Sequence, residues 1–159
     1  MASMTQKPDI GLKSLDFTLK DQNGKKFTLS DMKGKRVLLS FHPLAWTSVC
    51  SGQMKSLEEH HDALDYLNTV AVGISVDSVP CKKAWADHLD IKKTSLLSDF
   101  WPHGGVAQAY GAFIEQEGFA ERVNILIDEH QKVAFVKEYE RLSLPDMDQI
   151  LDLLRHMNK

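Results

Sequence analysis

The sequence predicts an α/β protein, a central mixed β-sheet flanked by helices with a β-hairpin at its N-terminal end. Three observations carry this. Two near-continuous apolar runs, RVLLSF at 36–41 and TVAVGISV at 69–76, suit strands covered on both faces. Segments with apolar residues at helical spacing follow each of them, the alternation expected of parallel strands joined by crossover helices. Short alternating segments at 15–19 and 26–29 flank Asp21-Gln22-Asn23-Gly24, whose Asn-Gly suits a tight turn with positive φ.

Taken in order, Ser30 opens a short turn ahead of the strand at 36–41. Val49, Met54, Leu57, Leu64 and Leu67 then recur at helical spacing and predict one long helix over 47–68. After the strand at 69–76 comes a helix over 80–89, with Pro80 in the first turn, where its missing N–H costs least. A short strand at 95–97 and a short helix at 106–110 precede two strands, 122–127 and 132–139, joined by a turn at Glu129-His130-Gln131. An amphipathic helix over 146–157 closes the chain, with Met147, Ile150, Leu151 and Leu154 on one side.

A length of 159 residues suffices for one domain, 10–159, with residues 1–9 reading as a flexible tail. The apolar fraction of 43%, charged fraction of 26% and net charge of −3 provide no field to attract nucleic acid or an anionic membrane. No apolar run approaches the roughly 18 residues of a membrane span, and MASMTQKPD lacks a signal-peptide pattern, so a cytoplasmic setting is expected. Two cysteines in that setting read as reactive or incidental thiols before they read as a staple.

Cys50 lies in the first turn of the helix that follows RVLLSF, and sites in α/β sheets collect where strands hand over to helices. Free N–H groups and the positive dipole end draw a thiol there toward the reactive thiolate. Pro43 can stop the strand and exclude water, while Thr47, one turn before Cys50, offers a hydroxyl that donates and accepts. A cysteine buried only for packing is the competing reading.

Pro43, Thr47 and Cys50 form the pattern P-x-x-x-T-x-x-C. With SFHPLAWTSVCSGQM, ISVD at 74–77, SDFWPHGGVAQAYGAF at 98–113 and GFAERVNILID at 118–128, the chain resembles the peroxiredoxins of the AhpC/TSA superfamily, most of all their alkyl hydroperoxide reductase E (AhpE) branch. The resemblance spans roughly residues 10–155. It implies a thioredoxin-like fold and a thiol-dependent peroxidase that uses no cofactor or metal. The implied substrates are hydrogen peroxide, organic hydroperoxides and peroxynitrite, reduced through a sulfenic acid on Cys50. Cys50 falls on the peroxidatic cysteine, Pro43 and Thr47 on the other motif positions, and Arg122 on the active-site arginine. An arginine suits that role because its permanent charge and fixed fork of donors stabilise a thiolate and orient a peroxide oxygen.

Two positions depart from the pattern. Gln53 stands where many peroxiredoxins carry glutamate, and Lys55 stands where a related branch carries its resolving cysteine. Cys81, at the start of the helix after 69–76, is the other thiol of the chain and the candidate resolving cysteine, through an intramolecular or intersubunit disulfide with Cys50. Helices after successive parallel strands can pack on opposite faces, so the pairing requires local unwinding of one or both first turns. Recycling by an external thiol (thioredoxin, glutaredoxin or a mycothiol-like small thiol) is the alternative, and family habit implies a homodimer or larger homo-oligomer. A peroxide sensor or redox-regulated binding protein would use the same cysteine, whereas a thioredoxin-type oxidoreductase is disfavoured by the lack of C-x-x-C. His60-His61 lacks partners at metal-ligand spacing. Lys33-Gly34-Lys35-Arg36 is too short for a nucleic-acid patch, and Trp101-Pro102-His103 reads as packing, a pocket wall or a subunit contact.

Overall fold

In a computed structural model that describes residues 6–158, the chain runs through two short strands, β1 (Thr18–Lys20) and β2 (Lys26–Thr28), into β3 (Arg36–Phe41) and α1 (Ser48–Glu59). It continues through α2 (His61–Tyr66), β4 (Thr69–Ser75), α3 (Val79–Leu89), β5 (Ser95–Ser98) and α4 (Gly105–Ala109). A two-stranded hairpin, β6 (Phe113–Ile114) with β7 (Phe119–Ala120), precedes β8 (Arg122–Ile127), β9 (Val133–Tyr139) and α5 (Met147–Met157). Seven of the strands form one sheet in the order β2-β1-β5-β4-β3-β8-β9. β3, β4 and β5 are parallel, and β8 and β9 extend the sheet antiparallel, so the sheet is mixed as expected.

Alternation along the central strands splits the core in two. Leu38, Leu96 and Leu126 face α1, α2, α3 and α5, packing with Met54, Leu57, Trp85, Ile150 and Leu154. Val37, Leu39, Phe41, Ile74, Val123 and Ile125 face the other way, against Phe17, Val106 and Tyr110. All six residues of β3 and all six of β8 are buried, which is why RVLLSF carries no alternation of its own. The strands succeed one another in one direction across the sheet, β3 to β4 to β5. Right-handed crossovers in one direction put their helices on one face, and α1 and α3 duly share a core and a bond from Trp85 Nε1 to Ser51 Oγ, 3.1 Å.

The long helix expected over 47–68 is two helices. His60 breaks it, with φ −97° and ψ 9°, and both its N–H and its ring Nδ1 (2.8 Å) use the Ser56 carbonyl. In the N-terminal hairpin the turn is wider than Asn-Gly alone: the Asp21 carboxylate accepts from the N–H groups of Asn23 and Lys25, and Gly24 takes φ +78°. Residues 1–5 of the expected tail lie outside the described residues, but from Lys7 the chain is tied down by ion pairs to Glu121 and Glu138. Among the described residues no helix is long and apolar enough to cross a membrane.

Candidate active site

The carboxyl end of β3 delivers the site. The chain leaves the sheet at His42, whose N–H still donates to Ile74 on β4, and turns at Pro43. The loop to α1 is held by Asp77, whose Oδ2 accepts from the Ala45 N–H at 2.8 Å and from Ser75 Oγ at 2.6 Å. Trp46 sits in the left-handed region at φ 70°, so the loop is pinned in a conformation that a bulky residue rarely adopts. Thr47 is the residue before α1 and is extended, yet its hydroxyl does not cap the helix; it donates to the Leu44 carbonyl at 2.8 Å. The first-turn N–H groups of α1 have no intrahelical partner, and Cys50 lies in that turn.

Cys50 is the third residue of α1 and fully buried. Arg122, the first residue of β8 and only 3% exposed, donates from Nη1 to the Cys50 sulfur at 3.4 Å. The same Nη1 donates to Gln53 Oε1 at 2.7 Å, while Nε and Nη2 clamp the Arg141 carbonyl at 3.0 and 2.7 Å. Among the described residues no carboxylate pairs with the guanidinium, so its charge is offset by neutral dipoles and is left for the sulfur. Gln53 in turn donates from Nε2 to Ser40 Oγ at 2.7 Å and to the Phe41 carbonyl at 3.3 Å. Ser40 Oγ donates to Asn124 Oδ1 at 2.7 Å, and Asn124 Nδ2 to the Tyr139 hydroxyl at 3.4 Å. Ser40, Asn124 and Tyr139 are the supporting residues that sequence reasoning missed.

Pro43, Thr47 and Arg122 line a hollow of about 270 Å³ with Val49, Phe119 and Leu142. Its walls are mainly apolar, and Arg122 is common to the hollow and to the sulfur. The structure therefore brings Pro43, Thr47, Cys50 and Arg122 together. Cys81 is not among the residues that line this hollow. It is the third residue of α3, its N–H capped by Ser78 Oγ, and its sulfur lies 3.8 Å from Asp77 Oδ1. Burial first, and then the Asp77 carboxylate, push the Cys81 thiol up. The two helices share one face of the sheet, and both cysteines are free thiols.

The AhpC/TSA family model matches residues 10–136. Alkyl hydroperoxide reductase E of Mycobacterium tuberculosis is 42% identical over 130 residues, 81% of this chain and 84% of that protein. Thiol peroxidase of Streptococcus agalactiae is 29% identical over 135 residues, 85% of this chain and 72% of that protein. In fold, the reduced 2-Cys peroxiredoxin of Plasmodium vivax superposes with a TM-score of 0.87 at 24% identity, covering 95% of this chain and 83% of that one. AhpC of Enterococcus faecalis gives 0.85 at 24%, covering 94% and 92%. These two likenesses confirm the thioredoxin-like fold. With a family model over most of its length and a relative of this identity over four-fifths of both proteins, the chain belongs to the AhpC/TSA family, as a peroxiredoxin of the alkyl hydroperoxide reductase E branch and a thiol-dependent peroxidase.

Proposed function

We propose that Cys50 is the sulfur that reduces the peroxide, acting on hydrogen peroxide, organic hydroperoxides and peroxynitrite. The observation that carries this is the 3.4 Å contact between a wholly buried sulfur and a guanidinium that has no carboxylate partner among the described residues. In the step proposed, the Cys50 thiolate attacks one peroxide oxygen and the O–O bond breaks. The sulfur keeps a hydroxyl as sulfenic acid, and the other oxygen leaves and takes a proton as alcohol or water. Arg122 and the first-turn N–H groups of α1 face the charge that develops on the leaving oxygen, and Pro43 and Thr47 shape the entrance. The apolar walls around Phe119, Val49 and Leu142 support organic hydroperoxides as substrates, because an alkyl chain buried there gains what hydrogen peroxide cannot.

Recycling is assigned to an external thiol such as thioredoxin, glutaredoxin or a mycothiol-like small thiol, in a cytoplasmic setting. What supports this over Cys81 as the resolving thiol is the environment of Cys81, where burial and Asp77 favour the protonated, poorly nucleophilic form. Assembly as a homodimer or larger is part of the reading, with the exposed side chains of Phe100 and Trp101 as the contact.

The experiment is peroxide consumption with a dithiol reductant. Cys50→Ser abolishes turnover and Cys81→Ser retains it. Turnover surviving in Cys50→Ser refutes the assignment.

A further inference from the structure

Lys82 and His42 form a pair that the reaction above does not use. Both side chains are fully buried, with Lys82 Nζ 3.2 Å from His42 Nε2. Among the described residues Lys82 has no carboxylate at ion-pair distance; its other close neighbour is the ring of Trp85, 5.6 Å away. His42 Nδ1 is buried with no hydrogen-bond partner among the described residues. Two basic groups with no carboxylate in direct contact are an expensive arrangement in a core, where a poorly compensated charge costs several kcal/mol. His42 follows β3 directly ahead of the motif, and Lys82 follows Cys81 on α3.

The charged groups around it are few. Asp77 on the β4–α3 loop, Cys50 on α1, Cys81 on α3 and Asp99 after β5 all act on the Lys82 charge, and Arg122 on β8 acts on His42. Burial drives His42 well below its ordinary range and brings Lys82 down to about 7, so His42 is neutral and Lys82 exchanges its proton near neutrality.

We propose that Lys82, held on His42, is a positioning residue for the peroxide reaction, an ammonium that stabilises the Cys50 anion together with Arg122 and withdraws that support when it loses its proton. This rests on Cys50 being the reacting thiol. The proton balance closes: thiolate, ammonium and hydroperoxide give sulfenic acid, free amine and alcohol, with the proton shed by Lys82 equal to the one the leaving oxygen takes up. Neutral His42 serves as the acceptor that holds the ammonium in place without competing for its charge.

The sign of the effect is fixed. In acid Lys82 carries its charge and supports the Cys50 anion; in alkali the amine is neutral and that support is gone. The test is single-turnover oxidation of Cys50 by hydrogen peroxide from about pH 5.5 to about pH 9 in the wild type and in Lys82→Met, which keeps the apolar stem. The variant is expected to be roughly tenfold slower in acid and to converge with the wild type in alkali. A merely structural lysine would give a pH-independent deficit or none, and either overturns the proposal. Should Lys82→Met not fold, carbon NMR titration of Lys82 in the wild type and in Cys50→Ser decides. The midpoint falls when the sulfur is removed, and an unchanged midpoint overturns the proposal. Loss of reaction at Cys50 itself is read separately, from turnover in Cys50→Ser.

Discussion

Arg122 uses every edge of its guanidinium: one nitrogen serves the sulfur and Gln53, and two hold the Arg141 carbonyl. Because the clamp on Arg141 fixes the fork and no carboxylate among the described residues neutralises it, Arg122→Ala is expected to slow single-turnover oxidation of Cys50 by roughly 10²–10³-fold while leaving the circular dichroism of the fold intact. Arg122→Lys recovers little, since an ammonium cannot span three partners in one plane. An unchanged rate in either variant would return Arg122 to a purely structural part. The grouping of Pro43, Thr47 and Cys50 was legible in the sequence because a motif of fixed spacing marks them, and Arg122 was legible only through the family resemblance, since a charge at a strand start reads by itself as surface. Ser40 and Asn124 were not. They meet through the β3–β8 register, where Ser40 stands opposite Asn124, a relation 84 positions long in the chain. Lys82 was equally hidden, since a Lys-Lys pair on a helix reads as a solvated face until α3 is packed on the sheet.

Element boundaries followed the patterns wherever one element was long and apolar, as in β3, β4, β8 and α5, whose buried Met147, Ile150, Leu151 and Leu154 are the residues the spacing marks. They failed at His60, where a ring nitrogen on the backbone interrupts a helix whose apolar spacing runs on, and at β6–β7, whose strands of two residues are too short to show any period. Short α4 depends on Asp99 for its start, the carboxylate accepting from the N–H groups of Val106 and Ala107 at 3.0 Å each. Burial nevertheless raises Asp99 to about 6, outweighing those two bonds. A carboxyl raised in the folded state contributes stability that is full below about 4 and is lost as pH rises through about 6, on the order of 3 kcal/mol in all. Asp99→Asn loses an acceptor at every pH but cannot titrate. Urea midpoints at about pH 4.5 and about pH 7.5 should therefore show the wild type losing stability relative to the variant as pH rises. A constant gap would mean that Asp99 does not titrate in that window.

At the scale of the whole molecule, the order of strands in the sheet was beyond the sequence, and with it the face on which each helix lies. The chirality of two successive crossovers then puts α1 and α3 together and so makes one neighbourhood of Cys50, Lys82 and Cys81. Association is the other property of this scale. Trp101 is 81% exposed and Phe100 54%, an apolar pair that a monomer leaves in water. Trp101→Arg is expected to shift sedimentation from dimer or larger to monomer with Cys50 still reactive, and an unchanged profile would move the contact elsewhere. The side-chain bonds that run from Arg122 to Tyr139 cross α1, β3, β8 and β9, and they have a polarity: guanidinium to amide oxygen, amide nitrogen to hydroxyl, hydroxyl to amide oxygen, amide nitrogen to phenol. A carboxylate at position 53 would offer acceptors alone. Ser40 would have to swing its proton toward α1, Asn124 would have to turn its amide over, and the Phe41 carbonyl would lose its donor from α1. Exchanging a single nitrogen for oxygen would thus be felt at a phenol two strands away from Ser40, and glutamine at 53 sets the sense in which this whole buried seam is wired.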